Sequence, residues 1–153
     1  MTVKGEQLLR EEMDKLTRVE RPRIVSDIAE ALAQGDLREN AEFQYAKEEQ
    51  GFIEGRIAEI ASKLSNVQII NIVEIAHTGK VIFGVTVTML NIETEVEVTY
   101  QIVGEDEADI KSGKLSVYSP IARAMIGKSE GDEIVVKAPS GDIEYEICAV
   151  LHL

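Results

Sequence analysis

Asp36 and Glu39 are the residues of this chain whose type and spacing point most directly to chemistry. They follow Gly35 in the stretch QGDLRENAEF, which interrupts a long helical pattern. Residues three apart in the first turn of a helix lie on one face, about 5 to 6 Å apart at Cβ. Two carboxylates placed in this way suit a hard divalent cation such as Mg²⁺, provided that water and a second macromolecule supply further ligands.

The same pair also has a purely structural interpretation. An aspartate followed three residues later by a glutamate, ahead of an apolar periodic stretch, is the pattern of a helix capping box. A capping residue stabilises a helix start by about 1 kcal/mol and needs no further function. Spacing alone therefore leaves both capping and cation binding open.

Helical patterns flank the acidic pair on both sides. From residue 2 to about residue 72 the chain is rich in Glu, Ala, Leu, Arg and Lys, with apolar residues three and four positions apart. Because the connection QGDL is short, the two arms must be antiparallel neighbours, which predicts a helical hairpin of coiled-coil type. The seam predicted for the second arm, interrupted only by polar Gln50, consists of Phe43, Ala46, Ile53, Ile57, Ile60, Leu64 and Val67.

The first arm contains a slip in this periodicity. The pattern of Leu9, Met13 and Leu16 resumes at Ile24 one residue later than a heptad requires, and Pro22 lies in the slip. Proline removes an amide donor and clashes with the preceding turn. We therefore expect a kink or local break near residues 19–21, with the helix continuing beyond it.

The pattern changes after the hairpin, where β-branched, partly alternating stretches are separated by Gly, Asp and Ser. Within this region SPIARAMIG predicts one short helix, with Ser119 as N-cap, Pro120 at its first position and Gly127 as its stop. The predicted fold class is α+β. Residues 1–73 form the antiparallel helical hairpin, and residues 74–153 form an antiparallel β-sheet domain with a short helix.

Composition narrows the classes of function. The net charge of −12 argues against binding duplex nucleic acid and favours a protein partner. Only 5% of residues are aromatic, so an aromatic-lined pocket is not expected. Cys148, the only cysteine, lies in an apolar strand-like run and is predicted to be a small core residue in a reduced compartment. With His77 and His152 it shows no ligand spacing, which excludes a catalytic triad or a His/Cys metal cluster.

Two further features predict where the protein resides. The charged N-terminal stretch lacks the apolar segment of a secretory signal. The longest uncharged stretch, VIFGVTVTMLNI, is shorter than the roughly 20 residues of a membrane helix. We expect a cytoplasmic protein with no membrane association.

Several motifs in order resemble the bacterial GreA/GreB transcript cleavage factors, most closely the GreA branch. They are GDLRENAEF, AKEEQGFIEGRIAEI, KLSNVQII, GKVIFGVTVTMLN, YQIVGEDEAD and SPIARAMIGK, and the likeness runs from Thr2 to Val150. The resemblance implies a coiled-coil N-terminal domain and an FKBP-like C-terminal domain. It also implies that the chain is not itself an enzyme. The family is described as DNA-binding. Its globular part docks at the RNA polymerase secondary channel, and its coiled coil brings an acidic tip to the 3′ end of backtracked RNA.

The resemblance also assigns roles to residues. It makes Asp36 and Glu39 the tip acids that help polymerase hold a second Mg²⁺ and its water, with no cofactor bound by the factor alone. Tip support is assigned to Asn40, Glu42 and Phe43. Contact with RNA or polymerase is assigned to Arg38, Lys47 and Arg56. Polymerase docking is assigned to Ser119, Pro120, Ile121 and Arg123, together with the acidic GEDEAD loop. The charged residues and both docking segments have a structural alternative as solvated or core-packing elements. Family members often carry an aromatic hydroxyl at Phe43 and a basic residue at Leu32, which puts RNA contact by the arm in question.

Three other functions are compatible with the same predicted fold. A secondary-channel regulator would inhibit transcription without cleavage, and the intact acidic pair argues against it. A prolyl isomerase is suggested only by the FKBP-like resemblance, and fold does not carry function. A coiled-coil adaptor would dimerise through its seam, whereas the second arm of the hairpin already covers that seam, so we expect a monomer.

Overall fold

A computed structural model describes residues 1–33 and 41–153 as two compact units. The hairpin unit comprises Glu6–Val67, and the sheet unit comprises Met1–Gly5 together with Gln68–Leu153. The domain boundary predicted between residues 73 and 74 stays a prediction, because this division into units does not test it. Within the described ranges, no helix is both long and apolar enough to cross a membrane.

The predicted helices are present in both arms. The first arm contains α1 (Val3–Lys15), a π-helical segment (Leu16–Glu20) and α2 (Arg21–Ala33), and the second arm is α3 (Ala41–Ser65). Strong helix formers and the absence of proline from α3 favour its uninterrupted course.

The π-helical segment explains the slip in the first arm. The Arg21 amide donates to the carbonyl of Leu16, five residues earlier, instead of four. Such a turn contains one more residue than an α-helical turn, which is the size of the slip seen in the sequence. Pro22 follows directly and has no amide to donate. The local break is confirmed, and α2 continues beyond it.

The hairpin unit has a narrow apolar core. Its periodic positions point inward, as predicted, and Gln50 is half-buried among them. The core consists of buried Ile24, Ala46, Ile53 and Ile57, with half-buried Met13, Leu16 and Ile28 packed against them.

The sheet unit contains five strands in the order β3-β2-β1-β5-β4. Their bounds are β1 (Thr86–Asn91), β2 (Glu97–Val103), β3 (Lys114–Ser116), β4 (Glu133–Ala138) and β5 (Gly141–Leu151). The predicted α4 (Pro120–Met125) is confirmed: Ser119 Oγ accepts the Ala122 amide at 3.3 Å, and Gly127 has a φ of 87°. Alternating residues of β1 and β4, such as Val87, Met89 and Val136, are buried in one core.

The predicted α+β class is confirmed, and one strand pairing differs from the expected antiparallel sheet. Strand β3 runs parallel to β2, whereas the other pairs are antiparallel. The connection between them makes two 3₁₀ turns, Glu105–Glu107 and Ile110–Ser112, before re-entering the sheet. A parallel pair requires such a crossover, since a tight hairpin can only reverse the chain.

The prediction that Cys148 is a core residue is wrong, because Cys148 is exposed. Thr88 pairs with Ala149 and Met89 pairs with Ile147, so Cys148 is the extra residue of a β-bulge. A bulged residue has no partner on the neighbouring strand and interrupts the inward–outward alternation. Neighbouring protein atoms remove part of the water around its thiol, and this desolvation, together with the charge of Glu146, raises the pKa of the thiol.

Candidate functional site: the hairpin arms and helix α4

The predicted acidic tip lies outside the residues that the structure describes. Residues 34–40 contain Asp36, Arg38, Glu39 and Asn40, and these four predictions lie outside the described residues. The described helices end and begin on either side of them, α2 at Ala33 and α3 at Ala41. The geometry available for the site is therefore that of the two arms.

The first turn of α3 carries the remaining tip-support residues. Glu42 is exposed there, and a carboxylate near a helix N-terminus interacts favourably with the unpaired amides and the helix dipole. Phe43 is half-buried, which agrees with a packing role in the seam. Neither observation tests their predicted support of the tip.

An acidic groove of about 580 Å³ lies between the arms on one side of the hairpin. Small side chains of Ala31, Ala41 and Ala46 form its apolar part, and Tyr45, 69% exposed, stands at its margin. Its charged lining consists of Arg23, Asp27, Glu30, Glu42 and Glu49. Among the described lining residues, four acids outnumber one arginine, and their charge is net negative.

Arg23 connects the arms beside this groove. Its guanidinium donates to Glu20 at 2.9 Å and to Asp27 at 3.0 Å on its own arm, and to Glu49 on α3. The bond to Glu49 foremost, and then the bond to Glu20, raise the pKa of Arg23. The one basic residue among the described lining of the groove is thus already paired.

A second arginine bridges the arms close to the π-helical segment. Arg21 donates through Nε and Nη2 to the two carboxylate oxygens of Glu54, at 2.7 and 2.8 Å. This two-pronged hydrogen bond lowers the pKa of Glu54.

Arg56, predicted to contact RNA or polymerase, makes a third bridge. It donates to both oxygens of Glu12 on α1 at 2.5 and 2.8 Å, and its Nη1 lies 3.2 Å from Glu59. The bond to Arg56 is the main reason that the pKa of Glu12 is lowered. The guanidinium therefore has a structural partner in the hairpin, and its contact with a second molecule stays a prediction.

Lys47 is the other predicted contact residue that is described. Its ammonium group donates to Gln50 Oε1 at 3.3 Å on its own helix, and the residue is exposed. A neutral partner leaves the positive charge of Lys47 uncompensated by that bond. Of the two described contact candidates, Lys47 is the better placed to meet an outside anion.

The three bridges define the register of the hairpin. From Glu12 through Arg21 to Arg23 on the first arm, the partners on α3 move backward from Arg56 through Glu54 to Glu49. That order requires antiparallel arms. Sequence reasoning missed these pairs, although charged residues flanking an apolar seam are the usual place for interhelical ion pairs.

The predicted docking residues lie at and within α4. Pro120 and Arg123 are exposed, Ser119 is half-buried, and Ile121 is half-buried against the sheet core. Ile121 therefore has a packing role as well as a predicted contact role. Tyr118, just before this helix, is 63% exposed and was not among the predicted residues.

The acidic loop considered for docking has a structural role at Glu107. Its carboxylate accepts the amide and the hydroxyl of Thr2 and the amide of Gly104. Thr2 Oγ in turn accepts the Gly5 amide at 3.0 Å and so caps the start of α1. Glu107 is thus an anchor within the sheet unit, and the interpretation of this loop as only a solvated turn does not apply to it.

Comparison with known proteins identifies the class to which these features belong. A family profile described as "Transcription elongation factor, GreA/GreB, C-term" matches residues 76–152, and one described as "Transcription elongation factor, N-terminal" matches residues 1–69. The chain belongs to the GreA/GreB family of transcription elongation factors. Membership in this family implies binding to RNA polymerase.

Two sequence relatives support the same assignment. Transcription elongation factor GreA of Pseudomonas aeruginosa is 58% identical over 153 residues, covering 100% of this chain and 97% of that protein. GreA of Thioalkalivibrio sulfidiphilus is 59% identical with the same coverage. Among solved structures, GreA factor homolog 1 of Thermus thermophilus aligns over 99% of this chain and 97% of its own, at 24% identity and a TM-score of 0.43.

Proposed function

We propose that this chain stimulates RNA polymerase to cleave the 3′ end of nascent RNA in backtracked transcription complexes. The observation that carries the proposal is its 58% identity to a GreA elongation factor over all 153 residues. The phosphodiester bond is cleaved by the polymerase, and this chain supplies groups that complete the polymerase site. It acts in the cytoplasm. It acts as a monomer, since the second arm of the hairpin covers the apolar seam of the first.

The two units divide the work. The hairpin unit enters the polymerase secondary channel and carries the tip toward the RNA 3′ end, and the sheet unit, FKBP-like by resemblance, docks at the channel rim. Exposed Pro120 and Arg123 and the neighbouring Tyr118 are available for that docking. The Arg–carboxylate bridges support the first role, because they hold α2 and α3 in one register on either side of the tip sequence.

The tip acids fit a shared metal ion. Carboxylate oxygens are the ligands that Mg²⁺ prefers, and one or two of them normally act with water and phosphate oxygens. When bound, a second Mg²⁺ activates a water and stabilises charge on the scissile phosphate. Asp36 and Glu39 hold and orient this ion at the polymerase, Asn40 and Phe43 position the tip, and Arg38 and Lys47 meet RNA or polymerase.

The test is RNA cleavage in a stalled, backtracked complex at varied Mg²⁺ concentration. The Asp36→Asn/Glu39→Gln double variant keeps the size of both side chains and removes both charges. We expect it to bind polymerase like the unchanged protein and to lose most of the stimulated cleavage. Raising Mg²⁺ should partly restore the single variants, because weaker ligands require more free ion.

A matched control removes one exposed carboxylate elsewhere on α3. Glu48→Gln changes the net charge by one without touching the tip, so its cleavage rate should equal that of the unchanged protein. Normal cleavage by the double variant would refute the proposed role of the tip acids. If the unchanged protein binds polymerase and slows transcription without any cleavage, the alternative of an inhibitory channel regulator is correct.

A further inference from the structure

The two histidines of the chain lie side by side in the sheet unit. The ring centres of His77 and His152 are 4.9 Å apart, and the ring planes are inclined by 53°. His77 precedes β1, and His152 follows β5 at the end of the chain. They are far apart in sequence, which is why sequence spacing gave no sign of a paired site.

Backbone carbonyls fix the protonated nitrogen of each ring. His77 Nε2 lies 2.5 Å from the carbonyl of Val150, and His152 Nδ1 lies 2.9 Å from that of Ile75. A carbonyl only accepts, so each of these nitrogens carries a proton in the neutral ring. The lone pairs are therefore left on His77 Nδ1 and His152 Nε2.

His152 Nε2 has an unusual environment. It is buried and has no hydrogen-bond partner among the described residues. Buried polar atoms nearly always have a partner, and an exception calls for an explanation such as an ion. A neutral imidazole lone pair shielded from water is a form in which histidine binds transition metals.

We infer that His77 and His152 form a two-imidazole site for a divalent transition metal ion of the Zn²⁺, Ni²⁺ and Cu²⁺ class. Histidines that bind metals usually donate their other ring N–H to a backbone carbonyl or carboxylate, as both of these rings do. Two imidazoles sharing an ion at metal–nitrogen distances of about 2.0–2.1 Å have ring centres roughly 5 Å apart. The observed separation of 4.9 Å between the ring centres is compatible with that arrangement.

The site has only two protein ligands in the described part of the chain. No group of three or more His, Cys, Asp or Glu side chains that could hold a metal occurs there. With two protein ligands instead of four, the affinity would be lower than that of structural zinc sites. Because His152 also bonds the carbonyls of Ile72 and Ile75, a bound ion tightens the contact between this segment and the end of β5.

The experiment uses the full chain without an affinity tag and observes the imidazole C–H signals by NMR. The chain contains two histidines, so these signals report on this site alone. We expect Ni²⁺ to broaden both rings with one shared midpoint and one equivalent bound, and Zn²⁺ to shift both. Mg²⁺, a hard ion that prefers oxygen ligands, should leave both unchanged.

Variants separate this site from other metal ligands. His77→Ala should fold normally, because His77 is exposed, and should weaken Ni²⁺ binding at least tenfold. His152→Ala should do the same, whereas Cys148→Ser, which removes the exposed thiol, should not change the midpoint. The inference is overturned if the rings titrate at separate midpoints, or if His77→Ala binds Ni²⁺ as tightly as the unchanged protein.

Discussion

Among the described residues, thirteen buried apolar side chains form one cluster in the sheet unit, whereas four form the cluster of the hairpin unit. The described part of the hairpin adds three arginine–carboxylate bridges between its arms, all partly exposed to water. Apolar burial is not weakened by charge screening, while exposed ion pairs weaken as salt screens them. The sheet unit therefore depends on packing, and the hairpin unit combines modest packing with a register set by charge.

Substitutions in the two cores should sharpen this contrast most. Ile147→Ala in the sheet core should cost about 2–5 kcal/mol of unfolding free energy, because the closed cluster around a fully buried side chain leaves a cavity. Because the units can unfold separately, amide hydrogen exchange in β5 and α3 should be followed independently. Ile110→Ala, at a residue 69% exposed, is the control and should have little effect.

The corresponding change in the hairpin is Ile53→Ala. We expect a loss near the lower end of the same range, about 2 kcal/mol, confined to the amides of α2 and α3, because a two-helix seam can partly close around the missing atoms. Val25→Ala, at an exposed apolar residue of α2, should leave exchange unchanged. An equal or larger loss than for Ile147→Ala would contradict the contrast between the two cores.

Two glycine-to-alanine substitutions, one in each unit, should change the free energy of unfolding in opposite directions. A Cβ at Gly5 would lie 1.8 Å from Glu107 Oε1, so Gly5→Ala must displace the carboxylate that binds Thr2 and Gly104. We expect a loss of about 1–3 kcal/mol from the unpaired groups, read from thermal unfolding and exchange of the Thr2 amide. Gly51→Ala meets no atom within 4 Å on α3 and should instead stabilise that helix by about 0.5–1 kcal/mol. A Gly5→Ala protein as stable as the unchanged protein would show that the Glu107 carboxylate yields without cost, and would contradict the prediction.

Local patterns in the sequence predicted much of the fold. The apolar seam, the alternation of β1 and β4 and the cap of α4 depend on neighbouring residues. The one-residue slip before Ile24 likewise predicted a local break in the first arm, which the structure shows to be a π-helical segment, because an inserted residue must be accommodated within its own helix.

Features that depend on distant residues could not be read in the same way. The bulge that exposes Cys148 depends on how β5 pairs with β1, and the parallel course of β3 depends on the crossover before it. The bridge between Glu12 and Arg56 requires the exact register of the arms, which a residue pattern does not supply. The acidic tip itself could be named from sequence alone, and its role stays a prediction.

The smallest expected effect concerns the charge bridges, and pH isolates it. The pKa of Glu12 is lowered from 4.5, mainly by its bond to Arg56. A carboxylate with a lowered pKa contributes stability that is fully present above its unfolded pKa and is lost as pH falls through its folded pKa. Glu12→Gln should therefore cost about 0.2–1 kcal/mol at pH 7, a range set by solvent screening of a partly exposed pair, and progressively less as pH falls below about 4.5.

The measurement is hydrogen exchange of α1 and α3 amides at pH 7 and pH 3 in the unchanged protein and the variant. Glu11→Gln is the matched control, since Glu11 accepts a hydrogen bond from Gln7 of its own helix at 3.1 Å, shows no bridge to α3 among the described residues, and would keep an acceptor as glutamine. Raising the salt concentration at pH 7 should shrink the Glu12→Gln effect and leave the Ile147→Ala effect unchanged, because screening acts on the bridge and not on the sheet core. A Glu12→Gln loss that persists at pH 3 and in high salt would mean that the side chain acts through packing, and that the hairpin resembles the sheet unit more than its bridges indicate.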